Sequence, residues 1–201
     1  MSVLQCSPVP ERVREALENY IPPQGLSEER LNQFASVQPR QEDKEDDTEV
    51  FNGVSVTHHF VEVPGDYETV RFHYVEAGAG EVVLFLHGIP DNWFQWHRHM
   101  AALSKTHRCI AFDLKGYGQS EKKPGDYRHE GAAEQMYHAL EKIGIAALKL
   151  NIVAHDRGTV QADYIVAKHS GRVLRYGRGE QHLYHFHPLL APQEQIFRNA
   201  P

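Results

Sequence analysis

The sequence predicts a three-layer α/β/α sandwich built on a mostly parallel sheet, and three observations carry that expectation. Val82-Val83-Leu84-Phe85-Leu86 is an unbroken apolar run of strand length, the pattern of a strand covered by helices on both faces. Downstream of it, short apolar runs alternate with longer stretches whose apolar residues recur at helical spacing. Small residues cluster after three of the predicted strands, at Gly88, at Gly116 and Gly118, and at Gly158. Strands joined through helices run parallel with right-handed crossovers, which puts helices on both faces of the sheet.

The elements follow in order. Glu11 to Tyr20 suits a short amphipathic helix that Pro22-Pro23 ends. Gln41 to Asp47 is mostly acidic and has no apolar residue, so it is expected to be solvated linker, with a boundary near residue 50. Val54 to Val63 alternates as a half-buried strand does, and Pro64-Gly65-Asp66 turns the chain. Glu68 to Val75 is its expected hairpin partner, closed by Gly78 and Gly80. Then come a strand at Val82–Leu86, a helix from Asn92 to Leu103 and a strand from Arg108 to Phe112. Glu130 to Ala147 places Ala133, Met136, Tyr137, Leu140, Ile143 and Ala147 on one helical face. Leu148 to Ala154 is a strand, Thr159 to Lys168 a helix and Arg172 to Tyr176 a sixth strand. The expected organisation is therefore an arm and acidic linker over 1–50, a core over 51–180 and the start of a further region over 181–201.

Composition narrows the function. The 201 residues are 41% hydrophobic and 24% charged, ordinary for a globular domain. A formal charge of -6 gives no electrostatic footprint for nucleic acid. No apolar run reaches the ~18 residues of a membrane span, and the N-terminus has neither the basic start nor the apolar core of a secretory signal. Cys6 and Cys109 are too few for a disulfide scaffold. A cytoplasmic protein acting on a small molecule is the resulting expectation.

In open α/β sheets, ligands bind at the carboxyl ends of the strands. Three segments fall there: His87-Gly88-Ile89-Pro90, Asp113 to Ser120, and Ala154-His155-Asp156-Arg157-Gly158. The last has small residues two before and two after Asp156, as a sharp strand–turn–helix elbow requires. Asp156 there stands at a helix N-terminus, where the dipole favours negative charge and where an acidic residue also serves as a plain N-cap. Together these motifs resemble the α/β-hydrolases of the epoxide hydrolase and haloalkane dehalogenase branch, over roughly residues 68–180, so the sandwich is expected to be an incomplete α/β-hydrolase fold. The resemblance implies that Asp156 is a nucleophile forming an ester with an epoxide or halide carbon. A serine esterase is disfavoured because no G-x-S-x-G occurs.

The resemblance also implies roles for neighbours. The Ile89 and Arg157 backbone N–H groups would form the oxyanion hole, with His87, Trp93 and the Arg157 side chain touching substrate; read from the residues alone, His87 also suits a hydrogen-bonded structural role and Trp93 core or pocket wall. Gly116-Tyr117-Gly118-Gln119-Ser120 matches the family's structural G-x-G-x-S turn. His-Asp-Arg-Gly is similar to the elbow of fluoroacetate dehalogenases, whose second arginine corresponds to Val160 here. Glu180, 24 residues after Asp156, falls where some members place the catalytic acid that orients the base. The family's base histidine follows a helical cap and two more strands. The sequence ends at Pro201 as a cap would begin, so this chain alone is expected to form the ester without turning over, and to self-associate through an uncovered strand near Val173. The competing reading is a catalytically inactive domain used for binding. No cofactor is expected, and no metal either, since His182, His185 and His187 lack clear further ligands.

Overall fold

The computed structural model describes residues 42–65 and 69–179. The expected helix at 11–20, Glu180 and the histidines at 182, 185 and 187 lie outside these residues. Seven strands form one mixed sheet: β1 (Thr48–Phe51), β2 (Val54–Pro64), β3 (Thr69–Ala77), β4 (Glu81–Leu86), β5 (His107–Phe112), β6 (Leu150–His155) and β7 (Val173–Gly179). Their order across the sheet is β1-β2-β3-β5-β4-β6-β7. The β5-β4-β6-β7 half is parallel throughout, and the β1-β2-β3 meander joins it antiparallel through β3. Among the described residues three helices accompany the sheet: α1 (His97–Leu103), α2 (His129–Lys142) and α3 (Arg157–Lys168).

The two faces of the sheet bury separate cores, which is the three-layer architecture the sequence predicts. Along β4, Val82, Leu84 and Leu86 face α2 and α3, packing with Met136, Leu140, Ala162 and Ile165. Val83 and Phe85 point the other way, against Trp93, Trp96 and Met100 of the 3-10 turn Trp93–Trp96 and α1. A strand buried on both faces cannot alternate polar and apolar residues, hence its continuous apolar run.

Local physics shifts several boundaries. The segment expected as a helix from Asn92 begins as a 3-10 turn, because the Asn92 side chain accepts from the Phe94 N–H at 2.9 Å and stops the helix winding backwards. α2 ends at Lys142, not Ala147: Gly144 takes φ +78°, and the turn buries Ile145 and Ala146 without helix. Strand β1 was not expected at all, and it runs through the boundary set at residue 50. The acidic run before it, expected as solvated linker, is tied to the sheet. Glu45 accepts from His59 Nδ1 and the Phe60 N–H, both at 2.7 Å, while Asp43 and Gln119 exchange two hydrogen bonds. The run stays largely exposed, so these contacts tether it to the sheet while most of its carboxylates keep their water. Among the described residues no helix is long and apolar enough to cross a membrane.

Candidate active site

The three strand-end segments predicted from sequence meet at one place. At the end of β6 the chain turns sharply into α3, and Asp156 occupies the turn with φ +46° and ψ -121°. A non-glycine residue holds such a conformation only when its surroundings enforce it, and strain of this kind concentrates at functional sites. Two enforcers are visible: the Asp156 N–H donates to Gly179 O on β7 at 3.0 Å, and its carbonyl accepts from both the N–H and the hydroxyl of Thr159. Gly158 lets α3 press against the end of β4, since a Cβ there would stand 2.4 Å from Leu86 O and 2.6 Å from His87 O.

The His87-Gly88-Ile89-Pro90 loop closes over this elbow. The Ile89 N–H donates to Asp156 Oδ1 at 2.8 Å. Gly88 is obligatory for that approach, because a Cβ there would sit 2.4 Å from Asp156 Cβ. The carboxylate thus has one oxygen on a backbone donor, as an acyl oxygen in an oxyanion site would be, and Oδ2 beside it. Arg157, whose own N–H was expected as the second donor, is the first residue of α3. Its side chain donates to Tyr127 O at 3.2 Å and lines a cleft of about 360 Å³ with Lys115, Tyr117, Tyr127 and Gln161. Asp156 is not a wall of that cleft, which lies beside the nucleophile position.

Two residues expected to touch substrate do not face the site. His87 is fully buried: its Nδ1 donates to Gly88 O at 2.7 Å and its Nε2 accepts from the Leu114 N–H at 2.9 Å. It clamps the loop as a neutral imidazole, a tautomer assigned from these partners. Trp93 is 4% exposed and belongs to the core beneath α1, its ring edge-on to Phe51 and His58. His87 thus takes the hydrogen-bonded structural role, held by its two ring nitrogens, and Trp93 the core role, drawn in by apolar burial.

The neutrality of His87 gives a pH prediction. Burial lowers its pKa from the usual 6.5, only partly offset by the Gly88 carbonyl. The unfolded chain takes up this proton near pH 6.5 and the folded one only at lower pH. The contribution of His87 to stability is therefore complete above about pH 6.5 and is lost as pH falls below it. In an NMR titration the His87 ring should take up its proton only below pH 6.5. A midpoint at or above 6.5 would contradict the assignment.

Beneath the site lies a buried network that sequence reasoning missed. Asp113, 1% exposed, accepts from the Trp93 N–H at 2.7 Å, the Gln119 N–H at 2.8 Å and His73 Nδ1 at 2.7 Å. His73 Nε2 meets His58 Nδ1 at 2.9 Å, and His58 Nε2 meets Glu49 of β1 at 3.0 Å. Ser120 Oγ donates to Asp113 O and accepts from the His73 N–H, while Gly118, at φ +51°, leaves room for the Asp113 carboxylate. The Gly116–Ser120 turn is thus structural, as predicted. His58 and His73 fall on adjacent strands in an alternating pattern, which is the signal that could have suggested contact. Glu180, the expected catalytic acid, lies outside the described residues.

Comparison with known proteins agrees with this geometry. Residues 81–176 match the family model described as alpha/beta hydrolase fold. The chain has the α/β-hydrolase fold, incomplete over the described residues. Within that superfamily it falls in the branch that holds epoxide hydrolases and haloalkane dehalogenases. It is 33% identical over 150 residues to the bifunctional epoxide hydrolase 2 of Rattus norvegicus, covering 73% of this chain and 26% of that protein. An epoxide hydrolase structure from Vigna radiata superposes with a TM-score of 0.61 at 28% identity, over 71% of this chain and 46% of that one. A haloalkane dehalogenase from Bradyrhizobium elkani does so with a TM-score of 0.56 at 32% identity, over 61% and 41%. The chain spans between a quarter and a half of the length of these relatives.

Proposed function

We propose that this chain is a hydrolase of the epoxide hydrolase and dehalogenase type, with Asp156 as the nucleophile toward a small electrophilic substrate. Asp156 Oδ2 attacks a saturated carbon, a carbon–oxygen bond forms, and the halide leaves with the bonding pair or the epoxide carbon–oxygen bond opens to an alkoxide that takes a proton. The product is an alkyl ester on Asp156. The observation that carries this reading is the strained Asp156 backbone with Oδ1 resting 2.8 Å from the Ile89 N–H. That donor rests on the oxygen that would remain the acyl oxygen of the ester, where charge develops when water attacks, and the Arg157 N–H is our candidate for the second donor. Water attack needs a general base, and Glu180 is our candidate for the acid that orients it. The Arg157 side chain beside the site favours a substrate carrying a polar or anionic group.

The test is mass spectrometry of the chain exposed to a bromoalkane and epoxide panel in ¹⁸O-water. Ester that persists appears as a stoichiometric adduct on the Asp156 peptide, cleaved by hydroxylamine. Ester that is hydrolysed leaves ¹⁸O in the Asp156 carboxylate, because water attacks the acyl carbon. Either result is expected, and both should vanish in Asp156→Ala. Cys109 should not compete, since burial pushes its thiol up to about 11. Absence of both signals, or an unchanged adduct in Asp156→Ala, rejects the reading.

A further inference from the structure

We propose that Gln95 is a positioning residue for the Asp156 reaction, its side-chain amide bolting the Ile89 donor loop to the strand that carries the nucleophile. The proposal rests on the reading of Asp156 given above. Gln95 Oε1 accepts from the Gly88 N–H at 3.3 Å, and Gln95 Nε2 donates to His155 Nδ1 at 3.0 Å. Gly88 directly precedes Ile89, whose N–H holds Asp156 Oδ1 at 2.8 Å, and His155 directly precedes Asp156. The contacts close a ring that runs from Gln95 through Gly88 and Ile89 to Asp156, and back through His155. Apart from the His155 imidazole, every other link in that ring is backbone or the reacting carboxylate itself.

The chemistry of the ring explains why an amide stands at this position. One planar group must offer an acceptor to the Gly88 N–H and a donor to an imidazole nitrogen, and of the side chains this long only glutamine does both. The base of the bolt is rigid. Gln95 sits on the 3-10 turn between Trp93 and Trp96, both buried, and the Trp93 N–H is anchored on Asp113. The loop it holds has no slack, because Gly88 already touches Asp156 closely enough that a methyl group would not fit. The Ile89 contact fixes the direction in which the carboxylate presents Oδ2, so a loop that drifts by an ångström leaves the attacking oxygen misaligned. Gln95 is itself only partly buried, so its removal should loosen the loop more than it weakens the fold.

Gln95→Met tests this, because it keeps the side chain's length and bulk and removes both hydrogen bonds. Hydrogen exchange on the full chain should show the Gly88 and Ile89 amides exchanging at least tenfold faster, with Leu84 in β4 unchanged. Adduct formation with a bromoalkane should show a saturating rate ten- to a hundredfold lower, a half-saturating concentration within twofold of the parent and an unaltered Tm. Unchanged exchange at Ile89 overturns the bolt whatever the chemistry does. Faster exchange with an unaltered adduct rate overturns the positioning role. If the parent chain forms neither adduct nor ¹⁸O-labelled Asp156, the nucleophile reading fails, and the exchange data still decide whether the bolt exists.

Discussion

Asp113→Ala should lower stability by about 3–5 kcal/mol, the range for breaking a buried charged contact from one side. The carboxylate is 1% exposed and accepts from three donors: the Trp93 N–H and His73 Nδ1, on buried residues, and the N–H of the half-buried Gln119. Each orphaned donor costs about 1–3 kcal/mol on its own, and shared relaxation keeps the sum below simple addition. Asp113→Asn should recover little. Its one oxygen can accept from only part of the set, while its NH₂ then faces an N–H donor whichever way the amide is turned. Urea denaturation of the two variants measures the loss. A cost below about 1 kcal/mol for Asp113→Ala would mean that the network is not a unit. The damage should also reach the site, because Trp93 starts the turn from which Gln95 holds the donor loop.

The same network separates what was legible in the sequence from what was not. The strand and helix order was legible because burial on two faces leaves a pattern, as the run Val82–Leu86 and the spacing of Ala133, Met136 and Leu140 do. The meeting of Ile89 with Asp156 was legible because the motifs that build it are short and local: glycine where two chain segments touch, and an acidic residue at an elbow. Strand β1 was not legible, since a four-residue edge strand is held by cross-strand partners that no local pattern encodes. The bonds of Asp113 to His73 and of Gln95 to His155 span 40 and 60 residues, and nothing local marks either partner. The substrate contacts of His87 and Trp93 came from the family resemblance, whereas the hydrogen bonds of His87 and the apolar burial of Trp93 turn both inward.

Gly158→Ala should be the more damaging change at the elbow itself, and other glycines of this chain supply its controls. At Gly171 an added Cβ meets nothing within 4 Å and the φ is ordinary, so alanine there should be neutral or stabilise by up to about 1 kcal/mol through the unfolded state. At Gly144 the space is also open but φ is +78°, so alanine carries the left-handed penalty alone, about 1–2 kcal/mol. At Gly158 the Cβ would lie 2.4 Å from Leu86 O and 2.6 Å from His87 O. Both are backbone atoms at the end of a central strand, and they cannot swing aside as a flexible side chain would. The strand and α3 must separate, which should cost about 3 kcal/mol, the upper part of the usual range for overpacking. Separation also releases the turn that holds Asp156 at φ +46°, because that conformation survives only while both arms of the elbow are pinned. The three alanine variants should therefore melt in the order Gly171, Gly144, Gly158 from most to least stable. At temperatures where all three are folded, only Gly158→Ala should lose the Asp156 adduct. If Gly158→Ala melts with Gly171→Ala and still alkylates, the close approach of α3 to β4 does not set the nucleophile.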